Sequence, residues 1–385
     1  MKSGKSTQAI HGRRDPNYRS ANYPVYNSVT FAVEKSSDYE RQSTKDDFYF
    51  YSRNGNPTIR NVEEKLARLE GAEDGVLFAS GMAAVTATLL SFVRNGDAIA
   101  ASSRLYGVTY RFLRDVVPQF GIDVHFLDAD ELYQIQKFAP TAKAVYFETP
   151  NNPTSACLSI RQVVEAAREI GAVTVIDNTF ATPINQNPLA HGVDLALHSA
   201  TKYIGGHSDL MAGVALGSKA HIEQIREMMI LLGGCSNPAE AALTDRSLKT
   251  LRVRMETHNQ TAMALAVFFS GESKVRKVHY PGLPSSPDHE IAKSQMSGFS
   301  GMLAIDLSSL EAAKSFCDRL QVGLNASSLG SVETLVSIPV LTSHTNMSED
   351  ELARAGVTPG TVRISTGLED LEDLLADFKQ ALAAL

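Results

Sequence analysis

Short, continuous apolar runs recur along the first half of the chain: VLFAS, AIAAS, IDVHFL, AVYFE, AVTVID and VDLALHS. Several run without polar interruption and carry β-branched residues, as strands buried on both faces do. Helical stretches separate them. The helix AAVTATLLSF opens at Gly81-Met82-Ala83-Ala84, another lies around Thr109 to Val117, and a third runs near Val163 to Ile170. Strand and helix in regular alternation argue for a largely parallel sheet with helices on both faces. Upstream, Asn54-Gly55 and Asn56-Pro57 mark a turn, with Asn56 the N-cap and Pro57 the first turn of a helix through Glu70. Before Asp47 the chain is polar, and its aromatics (Tyr18, Tyr23, Tyr26, Phe31, Tyr39) keep neither helical nor strand spacing. That segment is either an arm packing on a partner subunit or a meandering surface loop. From about Gly233 helical periodicity dominates, and ALTDRSLKTLRVRMETHNQTAMALAVFF predicts one long interdomain helix. VRKVHYPGLP, GMLAIDL, TLVSIPV and TVRISTG then read as shorter strands among helices, a smaller α/β domain. The expected division is an arm over 1–48, a large domain over 49–234 and a C-terminal α/β domain over 235–385.

In parallel sheets of this kind ligand sites gather at the carboxyl ends of the strands. Those ends carry Ser80-Gly81, Glu148, Asp177 and the run Ser199-Ala200-Thr201-Lys202. A lysine against an apolar layer loses its proton more readily, because burial disfavours the ammonium, and it then becomes a nucleophile. Lys202, beside two hydroxyls and a Gly-Gly turn, fits a Schiff-base lysine with a phosphate nearby. The alternative is a strand-exit lysine that snorkels into solvent. Asp177 could hold a pyridinium nitrogen protonated, or cap the following turn. The small residues at Gly81 leave backbone N–H groups facing out at a helix N-terminus, which is an anion site by geometry and dipole. Tyr51-Ser52-Arg53 offers further phosphate donors.

Composition narrows the class. The 385 residues suffice for two or three domains, and a net charge of −7 without any Lys/Arg-rich run gives no footprint for nucleic acid. Cys157, Cys235 and Cys317 have neither zinc-ligand nor redox-pair spacing, so no metal site is expected and a reduced cytoplasmic setting is. No apolar stretch approaches the roughly 20 residues of a membrane span. Gly4-Lys5-Ser6-Thr7 looks like the tail of a phosphate-binding loop, but the strand and glycine such a loop requires upstream do not precede it, so the match is expected to be chance.

The motifs YSRNGNPT, ASGMAA, ETPNNPT, VIDNTF and HSATKYIGGHSD occur in one order, and KVHYPGLP and SLGSVETL extend the set. Together they resemble the cysteine/methionine metabolism family of pyridoxal-phosphate enzymes, the trans-sulfuration group of cystathionine synthases and lyases. The resemblance runs from Ala9 to Asp370 and implies a fold-type I transferase that binds pyridoxal 5'-phosphate. It implies that Lys202 forms the covalent link and moves protons, that Asp177 pairs with the ring nitrogen, and that Tyr106 stacks on the ring and assists proton transfer. Phosphate would be held by Gly81, Met82, Ser199 and Thr201, and by Tyr51 and Arg53 of a neighbouring subunit. Asn152 would touch the ring's phenolic oxygen, and Arg363 and Ser331 the substrate α-carboxylate. The implied assembly is a homotetramer built from catalytic dimers, acting on an amino-acid substrate.

Members of this group carry out γ-replacement, γ-elimination or β-elimination. Glu333 and Arg111 resemble the synthases and γ-lyases, whose substrates carry a distal carboxylate or amino-acid end. Arg111 could equally be a solvated helix arginine. Val108 stands where synthases have glycine and methionine γ-lyases have cysteine. The segment 233–238 looks short, and Ser247 replaces a common glycine. The expected activity is therefore γ-elimination or γ-replacement on a sulfur-containing or O-acylated homoserine-type amino acid. The alternatives are a methionine γ-lyase, an O-acylhomoserine sulfhydrylase, a cystathionine β-lyase, an aminotransferase and a non-catalytic protein of the same fold.

Overall fold

The computed structural model describes residues 4–40, 48–345 and 347–385, so parts of the expected arm, 1–3 and 41–47, lie outside the described residues. Seven strands in chain order build the larger sheet: β1 (Asp74–Phe78), β2 (Ala98–Ser102), β3 (Asp123–Leu127), β4 (Ala142–Glu148), β5 (Val173–Asp177), β6 (Leu195–His198) and β7 (Gly213–Gly217). A smaller sheet follows: β8 (Lys277–His279), β9 (Met302–Asp306), β10 (Leu324–Asn325), β11 (Leu335–Ser337) and β12 (Thr361–Ser365). The chain divides into two compact units, Met1–Ser91 with Leu197–Leu251, and Phe92–Ala196 with Arg252–Leu385. The cut falls within β6.

In the first unit β1 pairs antiparallel with β7, so the sheet is mixed at this end. β7, GVALG, is not among the strands the sequence predicts; it is short and has a glycine at each end. The helix Pro57–Glu70 starts as expected: the Asn56 side chain accepts the Thr58 N–H at 2.9 Å, and Pro57 occupies the first turn. This helix buries an ionic network. Arg226 donates to both oxygens of Glu63 at 3.1 Å and to the Gly75 carbonyl at 2.7 Å. Glu63 also accepts the Leu77 N–H at 3.0 Å, fixing the helix to β1. Residues 10–26 are fastened to the same unit: Lys65 donates to the Ile10 carbonyl, Arg13 pairs with Glu64, and the Tyr26 N–H meets Thr58.

In the second unit β3, β2, β4 and β5 are parallel neighbours, in that order across the sheet. The small sheet has the order β10-β11-β12-β9-β8 and is antiparallel apart from β10–β11. Phe269, Phe316 and Phe378 pack behind it, with centroids 5.3 and 5.9 Å from Phe378. The long helix expected after Gly233 is two helices, Pro238–Leu248 and Leu251–Ser270. The backbone tightens between them into i→i−3 bonds, Lys249 onto Arg246 and Thr250 onto Ser247. The Thr250 hydroxyl donates to the same Ser247 carbonyl at 3.2 Å. No helix among the described residues is long and apolar enough to cross a membrane.

The Glu63 network yields a stability prediction. Glu63→Ala leaves the Arg226 guanidinium buried without its carboxylate, which costs about 3–5 kcal/mol. Thermal denaturation of the apoprotein should show a marked fall in midpoint. A midpoint unchanged from wild type would remove this network from the account of the first unit.

Candidate active site

The first unit holds the lysine. After β6 the chain turns tightly: the Lys202 N–H bonds the Ser199 carbonyl, the Gly205 N–H bonds Ala200, and the Gly206 N–H bonds Lys202 at 2.7 Å. Gly206 supplies the left-handed φ of +71° that this turn requires. Lys202 is half-buried, neither sealed in an apolar layer nor fully extended into water. Thr201 is locked to the start of β7, its N–H and hydroxyl meeting the Ala212 carbonyl at 3.1 and 3.2 Å. The helix Gly81–Phe92 begins against this turn. A Cβ on Gly81 would lie 2.8 Å from Ser199 Cβ and 2.9 Å from its hydroxyl oxygen, so only glycine permits the approach. Ser80 caps the helix, accepting the Ala83 N–H on its hydroxyl at 3.1 Å and the Ala84 N–H on its carbonyl at 3.2 Å. The result is a helix N-terminus set beside a serine hydroxyl, an arrangement suited to a phosphate. In the same unit Tyr51 and Arg53 line a cavity of about 290 Å³ with Thr30, Tyr39, Phe50 and Asn54. The Arg53 guanidinium lies 5.1 Å from the Tyr51 ring centre.

The second unit gathers acids, a phenol and a cation. Glu148 and Asp177 are register partners at the carboxyl ends of β4 and β5. Burial and the Asp177 charge hold the Glu148 carboxyl well above the usual carboxylate range, while N–H donation from Tyr106 and Asn152 opposes the shift. The Tyr106 bond is 2.8 Å long. Tyr106 keeps 37% of its surface exposed, and burial of the remainder raises its phenol; the Arg363 charge pulls it down. Asp177 caps the following turn by accepting the Thr179 N–H at 2.9 Å. Arg363, on β12, is 4% exposed and donates to the Asn152 amide oxygen at 3.2 Å and the Ser328 carbonyl at 2.8 Å. Ser331 is buried and hydrogen-bonded to Glu333, which is exposed, as is Arg111.

Thus the first unit brings Gly81, Ser199, Thr201 and Lys202 together, and the second joins Tyr106 and Asn152 to Glu148, and Asn152 to Arg363. Two buried histidines of the second unit had no sequence signal, His258 within a helix and His344 beside the Tyr106 corner. Their surroundings come from segments remote in the chain.

The family model described as Cys/Met metabolism PLP-dependent enzyme matches residues 6–383. The chain belongs to this family. It is 39% identical to an L-methionine gamma-lyase of Pseudomonas putida over 99% of its own length and 98% of that protein's. It is equally 39% identical to a cystathionine beta-lyase of Lactococcus lactis, with 98% of each chain covered. A crystal structure of cystathionine gamma synthase from Xanthomonas oryzae, in complex with aminoacrylate and cysteine, superposes with a TM-score of 0.94 at 34% identity, over 99% and 98% of the two chains. The protein is accordingly a pyridoxal-phosphate-dependent enzyme of the trans-sulfuration group with a fold-type I architecture. Its own residues fit that cofactor. Gly81 brings a helix N-terminus up against the Ser199 hydroxyl, and a second hydroxyl and an amine follow the same strand.

Burial lowers both His258 and His344 to about 4, with help from the neighbouring charges of Arg254 and Arg363. Each is neutral when folded and protonates near 6.5 when unfolded. The unfolded chain therefore binds more protons between these values. Their contribution is complete above about pH 6.5 and is lost as pH falls towards 4, amounting to about 3 kcal/mol each. The melting midpoint should drop on acidification through this window, and His258→Gln should flatten that limb. An acid limb of unchanged slope in the variant would contradict the assignment.

Proposed function

We propose that the enzyme catalyses γ-elimination or γ-replacement on a sulfur-containing or O-acylated homoserine-type amino acid. The observation that carries this reading is Arg363, a buried cation whose guanidinium donates to two neutral oxygens and whose charge is felt at Tyr106. Such a cation suits the α-carboxylate of an amino acid, and Ser331 is assigned to the same carboxylate, its hydroxyl turning to it from Glu333 when substrate binds. Glu333, held by Ser331, and the exposed Arg111 would recognise the distal end of a longer substrate, as expected from their likeness to the synthases and γ-lyases.

Bound pyridoxal phosphate supplies an electron sink for negative charge at the substrate's Cα. The protein's own groups do the rest. Lys202 is assigned the covalent attachment, and its amine takes and returns protons at Cα and Cβ. Asp177 would keep the ring nitrogen protonated, and Tyr106 would cover the ring face and assist proton transfer. Gly81, Met82, Ser199 and Thr201 would hold the phosphate, with Tyr51 and Arg53 contributed by a neighbouring subunit. Asn152 would meet the ring oxygen as well as Arg363. The homotetramer of catalytic dimers, with 1–48 as an assembly arm, belongs to this proposal. So does a cytoplasmic setting, which the free thiols Cys157, Cys235 and Cys317 support.

Three experiments test the reading. Lys202→Ala should abolish the visible absorption of the protein-bound cofactor, and Arg363→Ala should lower kcat/KM by roughly 30- to 1000-fold, mainly through KM, for a loss of about 2–4 kcal/mol. Incubation with O-succinyl- or O-acetylhomoserine plus cysteine or sulfide, cystathionine, methionine and homocysteine should yield keto acid and ammonia, or a new thioether. Pyruvate and homocysteine from cystathionine would overturn the γ assignment.

A further inference from the structure

We propose that His344, with its neighbour Ser343, is a positioning residue for Tyr106: the Ser343–His344 turn wedges the Leu105–Tyr106–Gly107 corner into place. The contact is steric first. Tyr106 is the N-cap of the short helix Gly107–Arg111, and a Cβ at position 107 would collide with the Ser343 carbonyl oxygen and lie 3.0 Å from its carbon. Glycine at 107 is therefore required by the turn that packs on it, since its own φ is not in the left-handed region. The opposite side of the corner is pinned by the Tyr106 N–H on Glu148. The corner sits between a carboxyl group and a turn.

His344 completes the wedge. Its side chain is buried, 1% exposed, and its Nδ1 lies 2.8 Å from the Ser343 hydroxyl. A hydroxyl that donates there leaves the ring neutral with its proton on Nε2, and no hydrogen bond of full geometry to Nε2 is found among the described residues. The polar group beside the ring is the Leu105 backbone, one residue before Tyr106. Burial and the nearby Arg363 charge push the imidazole down to about 4, so it stays uncharged through the neutral range and adds no like charge next to that guanidinium. The turn is tied to the small sheet, because the Pro339 carbonyl accepts the N–H groups of Thr342 and His344 just after β11, which pairs with the Arg363 strand. One frame thereby fixes both the phenol and the carboxylate-binding cation.

The inference rests on the reading of Tyr106 as the residue that covers the cofactor ring. The test compares holoenzymes carrying Tyr106→Ala, His344→Ala, His344→Gln, Gly107→Ala and His279→Asn by visible circular dichroism of the bound cofactor, cofactor Kd, kcat, KM and melting midpoint. His279 is a histidine on β8 of the same unit, paired with Asp306 at 2.8 Å, and serves as the structural control. Misplacing the phenol should lower kcat by about 10- to 100-fold and the dichroic amplitude by roughly half in His344→Ala and Gly107→Ala, with KM little changed. Tyr106→Ala should move both readouts in the same direction. His344→Gln, whose amide can set a nitrogen donor where Nε2 stands, should recover part of the loss. His279→Asn should lower only the melting midpoint. A wild-type band and kcat in His344→Ala would overturn the proposal whatever its midpoint. If that variant does not fold, a wild-type band in Gly107→Ala does so instead. Should Tyr106→Ala itself behave as wild type, the reading of Tyr106 falls and takes this inference with it. An impaired Tyr106→Ala beside unimpaired His344 and Gly107 variants defeats this inference alone.

Discussion

A carboxyl group buried at the end of β4 is the constraint on which the second unit's chemistry depends. Glu148 lies beside the half-buried Asp177 in strand register, and a buried acid next to a second one resists carrying its charge without compensation. The compensation comes from backbone N–H groups of the loops that follow β2 and β4, those of Tyr106 and Asn152. Satisfying Glu148 therefore sets the position of the phenol and of the amide, and Asn152 passes the constraint to Arg363. Removing the carboxyl would release two loops at once, which is why its burial is tolerated.

The first unit is organised by close approach instead of charge. Gly81 lies against Ser199, and a Cβ on Gly213 would collide with the Ser80 carbonyl, so helix, β6 exit and β7 meet at backbone distance. Any side chain at either glycine would push the helix N-terminus away from the hydroxyls. The turn that carries Lys202 is held by four backbone bonds between Ser199 and Ala212, so the amine leaves from a fixed point.

Much of this was legible in the sequence where the signal is local. The strands AIAAS and AVYFE, the Asn56 cap, and the Asp177 and Lys202 positions are set by residues within a few places of one another. Asp177 caps the following turn with one carboxylate oxygen, and its pairing with the ring nitrogen belongs to the proposal. The contacts that could not be read join distant segments. Nothing near Gly107 announces Ser343, and nothing near Glu148 announces that two loops converge on it. The break after Leu248 is a two-residue tightening with no glycine or proline to announce it, and β7 is short with a glycine at each end, which weakens its strand signal. The substrate's identity is illegible for another reason: relatives equally similar to this chain carry out γ- and β-chemistry on one framework.

The central claim is that Lys202 is the residue that bears the cofactor. Borohydride reduction of the protein after incubation with pyridoxal phosphate, followed by proteolysis and mass spectrometry, tests it directly. The account predicts a single pyridoxyl-labelled peptide spanning Val193 to Gly206, with the label on Lys202. A label absent from that peptide, or carried by another lysine at matching stoichiometry, would contradict it.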